Sequence, residues 1–238
     1  MDPNATDPSP ASPDGASLPR IVVVLETAVP PAVHDACAEV AAGLADRLRM
    51  PVTLASIPGC CLEALRPTLS RARESRVSDI APAPAAAPMS AAPFVLRDDG
   101  RPDWGAMWES FCELALYGGP PHRGPDNPLR APNASRATPA SSPAMLEELR
   151  RGIWETTGLY AEAAEPGWLS VTCDSPRMAA WLCATIILEN VDARVEEDRL
   201  LLPAGPNYRL KDEVKSIITV VAKTHHYWQA HIIGDAQG

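Results

Sequence analysis

Chemically capable side chains follow two glycines and two prolines in the stretch LALYGGPPHRG, residues 114–124. Gly118 and Gly119 let the backbone adopt positive φ or approach a ligand closely, and His122 and Arg123 offer donors that suit a carboxylate or a phosphate. A phosphate-binding P-loop has a different order, because its glycines follow a strand and precede a helix. We therefore predict that these four residues contact a small anionic ligand. The alternative is a glycine helix stop followed by an exposed loop.

Two adjacent histidines, His225 and His226, lie near the end of the last helical pattern, in KTHHYW. Neighbouring residues on a helix point about 100° apart, so the pair is badly placed to chelate one metal ion. One ring could instead reach a cleft as a catalytic acid or base, or as a single metal ligand, together with His122 from the other half of the chain. The alternative is that His225 is a buried, hydrogen-bonded histidine. The sequence identifies no cofactor, and whether a metal is bound stays open.

Carboxylates form a third set of candidates. Asp98 and Asp99 are typical of a turn, and Asp174 is typical of a helix cap. Glu189 and Asn190 end a nearly all-apolar helical run, where a polar pair is expected to mark the point at which the helix emerges into water. A catalytic role for any of these residues is the alternative.

The charge balance argues against a nucleic-acid partner, because the formal net charge is −9 and binding to a phosphate backbone draws on clustered Lys and Arg. The one basic stretch, residues 66–76, contains no aromatic residue on which a base could stack. The longest apolar runs, such as residues 178–188, have about half the length that a membrane-spanning helix needs. We expect a soluble, cytoplasmic protein with no membrane partner, in which the six cysteines are reduced thiols.

The elements that must position these residues fall into two halves. In the first, a β-branched strand over 20–27, a helix over 30–50 and a strand over 51–57 predict a parallel β-α-β unit. The helix carries one apolar stripe at helical spacing, made of Val33, Cys37, Val40, Leu44 and Leu48. The first half continues with a proline-interrupted helix over 62–77, a short strand and turn over 94–100, and a helix over 102–117 that Gly118 ends.

The second half opens with a helix that starts at Pro143 and contains Gly152 and Gly158, which weaken it. A strand over 167–173 then leads into a helix that is apolar on nearly every face, with Ser175 as its N-cap. A hairpin turning near Glu197 and a last helix over 208–233 complete the half.

The two halves share one order of elements, strand, helix, strand, strand, helix, and the apolar positions of their closing helices coincide after a shift of 106 residues. This pattern is consistent with an internal duplication, and coincidental phasing of two amphipathic helices is the alternative. Each half resembles most of a ferredoxin-like β-α-β-β-α unit. The predicted fold is therefore an α+β sandwich of two such halves.

The predicted domain organisation follows from these patterns and from the proline-rich stretches between them. It comprises a disordered tail over 1–19, a first half over 20–119 with a Pro/Ala-rich insertion at 79–93, a linker over 120–143 and a second half over 144–238. Because clefts at domain junctions often bind ligands, we expect a binding or accessory protein that holds a small anionic ligand, a metal-containing cofactor or a partner protein between its halves. The alternative is a small-molecule enzyme that uses the three histidines and Arg123 for acid-base or metal-assisted chemistry.

Overall fold

The computed structural model describes residues 21–49, 52–74, 94–108, 114–117, 121–132 and 142–233. The predicted tail over 1–19 and the predicted insertion at 79–93 lie outside these residues. Gly118 and Gly119 also lie outside them. Within the described residues the chain combines helices and strands in two sheets, which confirms the α+β class.

The N-terminal sheet is a parallel pair formed by β1 (Ile21–Glu26) and β2 (Val52–Ile57). The helix α1 (Pro31–Leu48) connects them and starts with a proline, which is tolerated where a helical N–H has no partner. The strands pair in register from Ile21 opposite Val52 onward. The predicted β-α-β unit is confirmed.

The helix α2 (Gly59–Glu74) follows β2 directly and packs against a helix of the C-terminal part of the chain. It contains Pro67, as the sequence predicts, and begins three residues before the expected start. On its buried side the Trp181 indole Nε1–H donates to the Thr68 hydroxyl over 3.1 Å. This contact joins the N-terminal unit to the rest of the core.

The C-terminal part is built on a four-stranded antiparallel sheet in the order β3-β4-β6-β5. Its elements are α4 (Pro143–Thr157), β3 (Ala161–Ala163), β4 (Trp168–Thr172), α5 (Pro176–Leu188), β5 (Arg194–Glu196), β6 (Arg199–Pro203) and α6 (Lys215–Tyr227). A π-helical turn precedes α6 at Leu210–Val214, and another follows it at Trp228–Ile233. The sequence predicts all of these elements except the three-residue β3 and the two π turns.

Local sequence explains where α5 begins and why it is central. The Ser175 hydroxyl accepts the Met178 backbone N–H over 3.2 Å, and Pro176 occupies the first turn. Nearly every residue from Met178 to Leu188 is buried, because other elements pack around the helix. An apolar sequence on all faces predicts such a central helix.

Gly152 allows α4 and α6 to approach closely. A Cβ atom at this position would lie 2.3 Å from Ile218 Cδ1 and 3.0 Å from Trp104 Nε1, which is closer than atoms pack in protein interiors. The sequence predicts that this glycine weakens its helix, and the packing explains why a weak helix former stands there.

The N-terminal part does not repeat the order of the C-terminal part within the described residues. The predicted helix after β2 is present as α2, but residues 94–103, where the next strand is expected, contribute only an isolated bridge between Leu96 and Pro102. The predicted helix over 102–117 is described as α3 (Trp104–Trp108) and a 3₁₀ turn at Ala115–Tyr117. The duplication and the ferredoxin-like pattern are therefore not confirmed.

Candidate functional site

The carboxylate of Glu189 lies at the end of α5 and is completely buried. It accepts the backbone N–H of Ala115 over 2.7 Å and that of His122 over 2.6 Å. The Lys223 ammonium on α6 donates to both of its oxygens over 2.9 Å. One carboxylate thus holds both ends of the segment from Ala115 to His122 against α6. The expectation that Glu189 marks the emergence of α5 into water is wrong.

The backbone directly after α5 also binds the segment that contains His122 and Arg123. Asn190 adopts a left-handed conformation with φ of 61°, and its side-chain amide donates to the Arg123 carbonyl over 2.8 Å. The Arg123 N–H donates in turn to the Glu189 carbonyl over 3.1 Å. Leu129 pairs with Asn190 and Asp192 through two backbone hydrogen bonds of 2.9 Å. Residues 121–132, which the sequence assigns to a linker, therefore run along the connection between α5 and β5.

The His122 side chain is buried, with only 6% of its surface exposed. Among the residues that the structure describes, its Nδ1 is the one buried side-chain nitrogen or oxygen without a hydrogen-bond partner. Burial, followed in order of size by the positive charges of Lys223, Arg123 and Lys215, lowers the pKa of this histidine to about 3. All three charged groups that act on the ring are cations, so the imidazole is neutral at pH 7.

Arg123 is anchored on the other side of the same segment. Its guanidinium donates to Asp212, to the Ser216 hydroxyl over 3.1 Å and to the Asn127 carbonyl over 3.0 Å. The hydrogen bond from Arg123 lowers the pKa of Asp212, and burial opposes this shift only in part. The guanidinium thereby joins the segment to α6 and to the π turn before it.

The two histidines of KTHHYW lie in different surroundings from His122. His225 is buried, and burial lowers its pKa, which Asp174 raises and His226 lowers again. His226 is exposed and packs edge-on against the Tyr227 ring. Lys223 and His225 are two residues apart on a helix, about 200° around its axis. The structure brings His122 beside Lys223, because both donate to the Glu189 carboxylate.

The chain has no match among known proteins by any of three comparisons: no family model, no curated protein and no solved structure matches it. The candidate site is consequently argued from its own residues. In the described ranges, no group of three or more His, Cys, Asp or Glu side chains is arranged to hold a metal ion. Nor is any described helix both long and apolar enough to cross a membrane.

A second buried carboxylate, Glu148, provides a contrast with His122. It accepts the Trp104 indole N–H over 2.8 Å and hydrogen bonds from Arg101 and Arg151. Burial would raise the pKa of Glu148, but the hydrogen bonds from Arg151, Trp104 and Arg101 together lower it. This network is fully satisfied, which is typical of a structural cluster, whereas the His122 ring is not.

The remaining predicted site residues have simple positions. Asp99 Oδ1 accepts the Arg101 N–H over 2.9 Å and Gly100 has φ of 78°, so the predicted turn is confirmed.

Lys223 is the functional candidate that the sequence interpretation missed. Its signal is a single cation inside the apolar run SIITVVAKTHHYW, residues 216–228, where a lysine needs a buried carboxylate as partner.

Proposed function

We propose that this protein is a binding protein for a small anion, which is held at His122 beside Arg123 and Lys223. One observation carries the proposal: the His122 Nδ1 is buried with no hydrogen-bond partner among the described residues, and the charged groups acting on its ring are cations. Buried polar atoms in proteins are nearly always paired with protein or with bound molecules. An unpaired one in positive surroundings favours a ligand that carries negative charge.

The cations that act on the ring favour an anion. They are those of Lys223, Arg123 and Lys215, of which Lys223 is paired with Glu189 and Arg123 with Asp212. The region is poorly solvated, and electrostatic attraction is stronger there than in water.

The neutral imidazole can supply the hydrogen bond that such a ligand needs. With its proton on Nδ1, the ring donates to a carboxylate or phosphate oxygen without a change in protonation. The backbone N–H of His122 is already held by Glu189, which fixes the position of the residue before a ligand arrives. Such preorganisation reduces the entropic cost of binding.

Acid-base catalysis, the alternative from sequence, is less well supported by the same groups. An efficient general base has a pKa near the working pH. The pKa of His122 is lowered to about 3 and that of His225 is also lowered. Both rings are weak bases in the unliganded protein, so we propose binding rather than proton transfer.

Thermal unfolding with inorganic phosphate, and separately with acetate, tests the proposal at constant ionic strength set with sodium chloride. A ligand that binds only the native state stabilises it by about 2.7 kcal/mol at one hundred times its dissociation constant. We expect phosphate or acetate to raise the Tm of the wild-type chain and the NMR-determined pKa of His122.

The matched variants are His122→Gln, which removes the ring, and His226→Gln, which makes the same substitution at an exposed histidine of α6. The stabilisation should disappear in the first variant and persist in the second. Equal stabilisation of both variants, or none in the wild type by either anion, would refute the proposal.

A further inference from the structure

The strand β1 forms one edge of the two-stranded N-terminal sheet. Within the described residues, β1 pairs only with β2, so its other edge carries unpaired backbone groups. The sequence of β1, IVVVLE, is apolar along nearly its whole length. An apolar edge strand of six residues is a template for pairing with another strand.

An apolar trough of about 380 Å³ runs beside this edge, between β1 and α1. Val23 lines it from β1, whereas the neighbouring Val22 and Val24 pack against the core on the other side of the sheet. The residues from α1 that line it are Ala32, Val33, Ala36, Cys37, Val40 and Ala41. Every lining residue is apolar, and Val33 and Val40 are 45% and 63% exposed. The sequence-predicted stripe of α1 thus remains partly uncovered.

We propose that a second copy of this chain covers the trough, with the two β1 strands pairing antiparallel about a twofold axis and the two α1 helices packing side by side. In the register centred on Val23, Ile21 lies opposite Leu25 of the second copy and Val22 lies opposite Val24, so that every opposed position is apolar and opposed side chains share one face of the sheet. No two like charges face each other along the strands. A twofold axis uses the same patch on both copies, which is the commonest form of protein dimer.

The spacing of strands and of packed helices fits a second copy of the chain in this position. Neighbouring strands lie about 4.8 Å apart, so helices that sit over successive strand pairs of the combined sheet would be about 10 Å apart. Packed helices are separated by about 8 to 10 Å. Each α1 would therefore meet its counterpart across the trough, with Val33 and Val40 in the contact.

The charges of α1 fit self-association as well. Asp35, Glu39 and Asp46 are exposed, and at about 100° per residue each lies 100° or more around the helix from Val40. The acidic side chains of α1 therefore lie off the contact face although the chain carries a net charge of −9, and the charged residue of α1 that follows the line of Val40 is the basic Arg47 in the last turn. A second copy can consequently dock without bringing acidic side chains of α1 into the contact.

Light scattering and sedimentation of the full chain over a range of concentrations test the proposal. We expect twice the chain mass of 25.4 kDa for the wild type and the single mass for Val40→Asp. Tyr160→Asp, which also alters an exposed apolar residue, 53% exposed, should remain dimeric. Val33→Asp should repeat the result of Val40→Asp, and far-UV circular dichroism should match the wild type in every variant.

Hydrogen exchange of the β1 amides distinguishes the strand pairing from other modes of association. The amides on the open edge should be protected in the wild type and should exchange faster in Val40→Asp. A wild-type chain that is monomeric at tens of micromolar overturns the proposal. So does a dimer that survives both aspartate substitutions, or β1 amides that exchange equally in the dimeric and monomeric forms.

Discussion

A single carboxylate organises the candidate site at the scale of residues. Glu189 accepts from two backbone N–H groups and from Lys223, and this arrangement fixes the backbone on which His122 stands. The His122 ring is then left with three cations around it and an unpaired Nδ1. Glu189 thus positions the backbone, and the His122 ring makes the proposed contact with the anion.

The pH dependence of stability follows from the lowered pKa of His122. The folded pKa is about 3 and an unfolded histidine titrates near 6.5, so the unfolded chain binds more protons below pH 6.5. The stabilisation is complete above that pH and is lost as the pH falls toward 3, with a slope that approaches about 1.4 kcal/mol per pH unit. Urea unfolding between pH 7 and 4 measures this slope.

The variant His122→Gln should flatten this dependence, because it removes the titrating ring. His225 contributes in the same direction, because burial lowers its pKa too, but it is present in both proteins and cancels in the comparison. An identical slope in wild type and His122→Gln would show that the ring is not held neutral by its surroundings.

The sequence identifies His122 and Arg123 as special because glycines and prolines surround two polar side chains. It does not identify Glu189 or Lys223 as a pair, since 34 residues separate them and their contact depends on how α5 packs against α6. Glu189 looks like a helix end in water because it and Asn190 form a polar pair at the end of an apolar run. Ala115 and His122, which contact its carboxylate, are remote from it in the chain.

At the scale of elements, the ends of α5 and α6 carry the site. The last turn of α5 delivers Glu189, and α6 presents Ser216 and Lys223 seven residues apart, which places them on one face of the helix. The periodicity of both helices is visible in the sequence. The short β3 is not, because three residues give too little pattern to separate a strand from a loop.

The ion pair between α5 and α6 should be strongly coupled. Lys223→Met leaves the Glu189 charge buried without its partner, and Glu189→Gln does the same to Lys223, so each should lower the unfolding free energy by about 3 to 5 kcal/mol. The double variant removes both charges and keeps one amide oxygen as an acceptor. We expect it to be more stable than the sum of the single effects predicts, by about 1 kcal/mol or more.

Urea unfolding of the four proteins at pH 7 gives this coupling energy. Arg66→Met in the exposed pair with Glu63 is the control, because exposed pairs contribute about 0 to 1 kcal/mol. Additive effects at Lys223 and Glu189 would mean that the two charges are solvated independently, contrary to their complete burial.

At the scale of the whole molecule, one hydrophobic core spans both sheets. Ile57, Cys61 and Leu65 belong to the same buried cluster as α5 residues such as Trp181 and Leu182. The sequence predicts two halves because proline-rich stretches separate its patterned segments. Composition cannot show that α2 packs on α5, since this contact joins residues more than one hundred positions apart.

We therefore expect the described chain to unfold in one cooperative transition, with coincident midpoints by far-UV circular dichroism and by tryptophan fluorescence. Leu65 is completely buried on α2, so Leu65→Ala should cost about 2 to 5 kcal/mol and should lower both midpoints together. Leu96→Ala, at a residue that is 53% exposed, should change stability by no more than about 0.5 kcal/mol. If Leu65→Ala instead separated an early transition from an unshifted later one, the N-terminal unit would fold independently and the shared core would not couple the two sheets.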